Sequence, residues 1–280
     1  MLDVAIIGAG ELGGSLAQLV AASDMVRDVR LIDDAGNVAA GKALDLMQSS
    51  AVAGFSTRIA GATDLTAAAG AAVIVLADRV EGGEWQGEDG LLVLKRLAHL
   101  GLSPVILCAG AGHRDLVERG ARDLGLSRNR LLGSAPEALA AAVRAIVALE
   151  TNGSPRDVAL ALLGVPPTHI VIPWEEATIR GFTATRVLDE QARRRTMARV
   201  DRLWPPGPRA LAAAARQAIA AMLGGARHTI SAFVAPDDTS GRRSRAAALP
   251  VRLGPDGIER VELPSLSVRD QVALDNAMLL

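Results

Sequence analysis

Short apolar runs alternate with longer stretches of helical spacing through the first half of the chain. Val4-Ala5-Ile6-Ile7 predicts a buried strand, followed by an Ala/Leu-rich helix from residue 11 to about residue 22. A second strand is expected at Val29-Arg30-Leu31-Ile32. Residues 38–48 have helical spacing, with Leu44, Met47 and Ala51 set to one side. A short strand near 57–60 and the apolar run 72–76 come next. Residues 78–88 then form a polar, Gly-rich loop, followed by a helix through Leu91, Leu94 and Leu97. Residues 104–108 predict a fifth strand, Arg114–Leu124 a helix and 130–132 a sixth strand. Six strands joined through helices by short connections imply an α/β fold with a doubly wound parallel sheet.

After Glu150 the texture changes. Thr151-Asn152-Gly153-Ser154-Pro155 is a strong turn cluster. Strand-like runs follow at 158–163, 169–173 and 183–188, then Ala-rich helices at 190–203 and 209–223. Three more strands are expected near 229–234, 247–253 and 258–263, with a closing helix. The chain therefore divides into residues 1–150, a sheet-based domain, and 151–280, a mixed α+β domain that covers it. Residues 240–245 suit a solvated basic loop, with an anion site as the alternative.

The first turn carries the most specific signal. Gly8-Ala9-Gly10-Glu11-Leu12-Gly13 links a strand to a helix with G-x-G-x-x-G spacing. Gly8 allows the tight turn, Gly10 lets the backbone approach a pyrophosphate, and Gly13 lets helix pack on strand. The opening helical turn, including Glu11 and Leu12, offers free N–H groups and the positive dipole end. Any Gly-rich strand-to-helix turn can mimic this pattern. Here, however, the second strand ends in Asp33, 23 residues after Gly10 and near the spacing for a ribose-binding carboxylate. Asp33 accepts from a 2′-hydroxyl and repels a 2′-phosphate, which favours NAD over NADP.

Composition narrows the classes. A chain of 280 residues with formal charge −1 has no bulk attraction to nucleic acid or an anionic membrane. No run reaches the length of a membrane span and no basic leader is visible, so a soluble, cytoplasmic protein is expected. The single cysteine, Cys108, lies in the apolar run Val105-Ile106-Leu107-Cys108 and suits a buried structural thiol better than a nucleophile. No metal-ligand spacing, nucleophile elbow or Lys-containing phosphate loop is present. With no tyrosine, only Trp85, Trp174, Trp204 and three phenylalanines can stack on a ring.

Beyond that turn, Gly41-Lys42-Ala43-Leu44-Asp45-Leu46, Gly54-Phe55 and Gly61-Ala62-Thr63-Asp64 resemble the bacterial malate branch of the lactate/malate dehydrogenase family. The Ala-rich helix at 209–223, Leu253-Gly254-Pro255-Asp256-Gly257-Ile258-Glu259 and Leu263-Pro264 extend the resemblance over nearly the whole chain. It implies a Rossmann-type sheet, NAD as cofactor, a small-molecule substrate, a homo-oligomer and 2-hydroxy-acid dehydrogenase chemistry. That chemistry uses a histidine base oriented by an aspartate, and arginines that hold the substrate carboxylate and polarise the reacting oxygen. At the matching positions stand Pro166, Glu137, Ala140 and Gly87, and Ala109-Gly110 replaces an Asn-Pro.

Two histidines are candidates for a relocated base. His169 follows the lost position by three residues, and His113 sits at a helix start after the fifth strand; for each, an ordinary surface, core or helix-start residue is the commoner case. His99 and His228 read as structural, and Arg79 could supply a cation. Glu81, Glu84, Glu88 and Asp89 make the intervening loop acidic, which opposes an anionic substrate. Two classes of function follow: an NAD-dependent oxidoreductase with altered or lost 2-hydroxy-acid activity, or a catalytically silent NAD(H)-binding or oligomer-partner protein.

Overall fold

The computed structural model describes residues 2–99, 104–224, 229–237 and 245–280. In the first half, strands β1 (Asp3–Ile7), β2 (Asp28–Ile32), β3 (Arg58–Ala62) and β4 (Val73–Leu76) alternate with α1 (Glu11–Ala22) and α2 (Gly36–Ala53). A hairpin of two-residue strands, β5 (Asp78–Arg79) and β6 (Gly83–Glu84), leads into α3 (Gly87–His99). Then come β7 (Val105–Cys108), α4 (Arg114–Leu124), β8 (Leu131–Gly133) and α5 (Ala135–Glu150).

The sheet is parallel and doubly wound as expected; its pairing runs β3-β2-β1-β4-β7-β8, with reversal between β1 and β4. β1, β4 and β7 are buried along their length, because helices cover both faces. The strand β1 enters its turn through Gly8, at φ +110°, a conformation that an L side chain rarely adopts.

The second half adds β9 (Val158–Ala159), β10 (Leu163–Val165), β11 (His169–Val171), β12 (Thr178–Ile179) and β13 (Phe182–Thr183). Helices α6 (Ala184–Val187), α7 (Glu190–Val200) and α8 (Pro208–Met222) follow, then β14 (Ile230–Val234), β15 (Ala247–Gly254), β16 (Gly257–Val261) and α9 (Val268–Ala277). β14 pairs antiparallel with β8, and β15 and β10 continue outward to the edge strand β11. One sheet thus runs through residues on both sides of position 150. Helix α8 packs on α1, and Leu274 and Ala277 of α9 close small apolar clusters over β10 and β11.

Four local expectations are corrected. Leu44 is 60% exposed, and Ala39 and Ala43 are the buried residues of α2. The cause is close approach: a Cβ on Gly61 of β3 would lie 2.4 Å from the Ala40 backbone, so only small side chains fit between. The 78–88 loop is a hairpin and the first turn of α3. The run 158–163 splits between β9 and β10, and 183–188 is mostly the helical turn α6. Residues 240–244 and His228 lie outside the described residues. No helix among the described residues is long and apolar enough to cross a membrane.

Candidate dinucleotide site

A helix that starts at a glycine has no side chain to satisfy its first amides. Gly10 is the N-cap of α1 and makes no side-chain cap bond. The acceptors come from the hairpin instead. Gly10 N donates to the Asp78 carbonyl at 2.8 Å. Leu12 N donates to Asp78 Oδ2 at 3.1 Å, and Gly13 N to Asp78 Oδ1 at 2.8 Å. One carboxylate thus bridges two amides at the positive end of α1, a charge-assisted arrangement. A Cβ on Gly10 would lie 2.3 Å from Asp78 Oδ2, so the carboxylate fills the space that the missing side chain leaves. Gly13 is needed for packing, since its Cβ would meet Gly8 O at 1.9 Å. Lys42 of α2 donates to the carbonyls of Ala9 and Gly10, which pins the turn from its other side. Glu11 begins α1 with an exposed side chain.

Asp33 ends β2 and is 4% exposed. Its Oδ2 accepts from Ala9 N at 2.7 Å and Val80 N at 3.1 Å, and its Oδ1 from Ala35 N at 2.9 Å. Three backbone segments, the glycine turn, the start of α2 and the hairpin, therefore meet on one carboxylate. Beside it lies a cavity of about 210 Å³, lined by Ile32, Asp33, Thr63, Arg79, Trp85 and Arg96 among others. The Arg79 guanidinium lies over the Trp85 ring at 4.7 Å, a cation–π contact, and is 3.6 Å from Asp89. Arg79 is thus engaged at the Asp33 side of the crevice.

The far end of the hairpin meets the loop after β7. Glu84 Oε1 accepts from Ala111 N and Oε2 from Gly112 N, each at 2.8 Å. Successive amides of this kind form an anion-binding concavity. Below it His113 is fully buried, and its Nδ1 accepts from Gly110 N at 3.0 Å while Nε2 has no hydrogen-bond partner. A Cβ on Gly110 would lie 2.6 Å from both His113 Nε2 and the Glu84 carboxyl carbon, which sets the two side chains next to each other. Burial pushes the His113 imidazole down to about 4, against the opposing pull of Glu84, Asp78 and the Trp85 backbone.

The other singled-out residues are dispersed. Glu137 is 2% exposed; it pairs with Arg144 and accepts from Ser231 N at 2.8 Å, which ties α5 to β14. Ala140 and Pro166 are buried, and Gly87 begins α3 with open space where a Cβ would be. Ala109 and Gly110 are buried at the end of β7. His169, expected beside the cleft, is exposed on edge strand β11, six strand positions from β4, with Thr168 as its neighbour. His99 is exposed on α3 and contacts the Lys95 carbonyl. Burial raises the Cys108 thiol to about 12. No group of three or more His, Cys, Asp or Glu among the described residues could hold a metal.

Asp78, Glu84 and Lys42 were missed by sequence reasoning as site-forming residues. A signal for Asp78 existed: it comes two residues after β4, the strand beside β1, and so falls next to the β1–α1 turn.

The comparisons with known proteins agree with this architecture. Residues 2–85 match the family model described as lactate/malate dehydrogenase, NAD binding domain. The malate dehydrogenase of Sorangium cellulosum is 30% identical, with 93% of this chain and 90% of that protein covered. That of Thermomicrobium roseum is 29% identical, covering 97% and 93%. The solved malate dehydrogenase from Salinibacter ruber superposes with a TM-score of 0.85 at 23% identity, over 99% of this chain and 94% of that one. A Cryptosporidium parvum lactate dehydrogenase, solved with lactic acid and NAD, gives 0.86 at 19%, over 99% and 94%. NAD is the cofactor of this kind of domain. Its pyrophosphate does not fit the turn as described, because the Asp78 carboxylate holds the Leu12 and Gly13 amides. By sequence and by fold, the chain belongs to the lactate/malate dehydrogenase family of NAD-binding oxidoreductases.

Proposed function

We propose that this chain is an NAD-binding family member that has lost 2-hydroxy-acid dehydrogenase activity. The state of His113 carries the reading. A general base must present a free lone pair to the substrate hydroxyl. In the neutral His113 ring, Nδ1 is already an acceptor for Gly110 N, which assigns the proton to Nε2. Burial, with a value near 4, keeps the ring neutral at physiological pH, so it offers an N–H and no lone pair. Loss of a positioned base removes about 10²–10⁴ in rate. His169 is on the opposite sheet edge.

The cations point the same way. Arg144 is paired with Glu137 and Arg79 is engaged by Trp85 and Asp89, so neither is available to a substrate carboxylate. Gly8, Gly10, Glu11, Leu12, Gly13 and Asp33 remain the proposed cofactor residues, with residues 1–150 as the cofactor domain and 151–280 as the substrate or assembly domain. Self-association is part of the reading, supported by Val38, Leu44 and Val52, which α2 leaves exposed.

Two measurements test it together. NADH oxidation is followed with oxaloacetate and with pyruvate, and NADH binding is titrated calorimetrically with and without oxamate. The expected outcome is no turnover above the buffer rate and no strengthening of NADH binding by oxamate. Turnover with either acid, or a ternary complex with oxamate, would overturn the proposal.

A further inference from the structure

The β5–β6 hairpin occupies two anion-binding sites at once. Asp78 and Glu84 are directly paired across it in register. The first caps the amides of Leu12 and Gly13 at the start of α1; the second caps those of Ala111 and Gly112 after β7. Both caps stand over the carboxyl ends of β1, β4 and β7, at the switch point where open α/β sheets take their ligands. Val80 N, from the same hairpin, holds the Asp33 carboxylate. Beneath Glu84 lies the fully buried His113, whose Nε2 has no partner in hydrogen-bond geometry and sits beside the Glu84 carboxylate.

We infer that the hairpin is an internal competitor for the dinucleotide: Asp78 stands in for the pyrophosphate at α1, and NAD binds only when the hairpin lifts out of the crevice. The inference rests on the NAD-binding reading above. A phosphate and a carboxylate cannot share the same two amides, and their like charges repel at that separation. Nothing else in the turn has to move, because Gly8, Gly10 and Gly13 already provide its shape. The pivot lies at Gly87, with φ +54° and open space around it, just past Glu84. Lifting the hairpin frees the Ala111 and Gly112 amides from Glu84. It also withdraws Trp85 from the side of the Asp33 cavity.

The test compares the full-length wild type with Asp78→Asn, Asp78→Gly and Glu84→Gln. NADH, inorganic pyrophosphate and adenosine are titrated into each by calorimetry. Tryptophan emission is recorded during the pyrophosphate titration, in which the ligand itself does not absorb. Asp78 substitution is expected to tighten NADH and pyrophosphate binding roughly tenfold or more, the scale of one charge-assisted hydrogen bond. Glu84→Gln, which loosens the other anchor, gives a smaller gain. Adenosine, which lacks phosphate, gains less from Asp78→Asn than NADH or pyrophosphate does. Pyrophosphate shifts the wild-type emission to longer wavelength as Trp85 leaves its cavity, and Trp85→Phe removes that shift.

If the wild type binds NADH and the Asp78 variants bind it no more tightly, the hairpin is not a competitor, while the NAD-binding reading stands. If no protein in the set binds NADH, both fail. Asp78→Asn retains an acceptor for one amide, so it stays informative should Asp78→Gly lose its fold.

Discussion

Replacing His113 by Asn tests the buried imidazole through the pH dependence of stability. The free imidazole has an ordinary value of 6.5, and in the fold it stands at about 4. Above pH 6.5 the ring is neutral whether the chain is folded or unfolded, and it contributes no pH dependence. Between 6.5 and 4 the unfolded chain binds a proton that the native state refuses, so stability falls as pH falls. The gap is about 2.5 units, each worth ~1.4 kcal/mol, so the loss from this one group reaches about 3 kcal/mol near pH 4. Below that the folded ring protonates too, and its contribution stops growing. Neighbouring titrations barely intrude. Asp24, Asp28, Asp64, Asp123 and Glu262 are held below ordinary values of 3.8 to 4.5 by hydrogen bonds and arginines, so their losses begin at the bottom of this window.

The assay is urea unfolding followed by circular dichroism at several pH values from 7.5 to 4.5, on wild type and His113→Asn. Asn offers an acceptor near the position of Nδ1, so the Gly110 amide keeps a partner. The variant loses stability at neutral pH through the smaller side chain, but its slope between pH 6.5 and 4.5 flattens, so the deficit shrinks as pH falls. Parallel profiles for the two proteins would refute the argument, because His113 would then be titrating normally.

Two further outcomes follow from buried groups. Glu137→Ala leaves Arg144 without its ion-pair partner and the Ser231 amide without an acceptor. The cost is roughly 3 kcal/mol, and differential scanning calorimetry should show a Tm lowered by about 6–12 °C. A change under 1 °C would mean that this junction between α5 and β14 is not structural. Cys108 is fully buried with its thiol raised to about 12, so a disulfide-exchange reagent should label it only as fast as the protein unfolds. Rapid labelling of the native protein would contradict that burial.

What was legible in the sequence was what repeats along the chain. The six strands of a doubly wound parallel sheet, the position of α1 and the helix through Leu91, Leu94 and Leu97 all follow from local periodicity and punctuation. Asp33 could be placed at the end of β2 for the same reason. What escaped was set by partners distant in sequence. Asp78 meets Leu12 and Gly13 across 66 and 65 residues, and a polar loop flanked by glycines gives no local sign of such a docking. The buried face of α2 was misread because apolar size was weighed above closeness: the nearby β3 backbone selects Ala39 and Ala43 and turns Leu44 outward. At 183–188 the β-branched Thr183 and Val187 suggested a strand, yet only Thr183 continues β13 before the chain turns helical.

The antiparallel joint between β8 and β14 has a mechanical consequence. Phe233 pairs with Gly133 and Val234 with Leu132, so the two halves share hydrogen-bonded strands instead of meeting across a flexible cleft. Bending the two halves apart at this joint would break those strand hydrogen bonds. The floor of the crevice is stiff, and a ligand arriving there can be accommodated only by the pieces above it. The short segment between Ala77 and Gly87 is that piece, held by the amides of Gly10, Leu12, Gly13, Ala111 and Gly112 and by its own Val80 amide on Asp33.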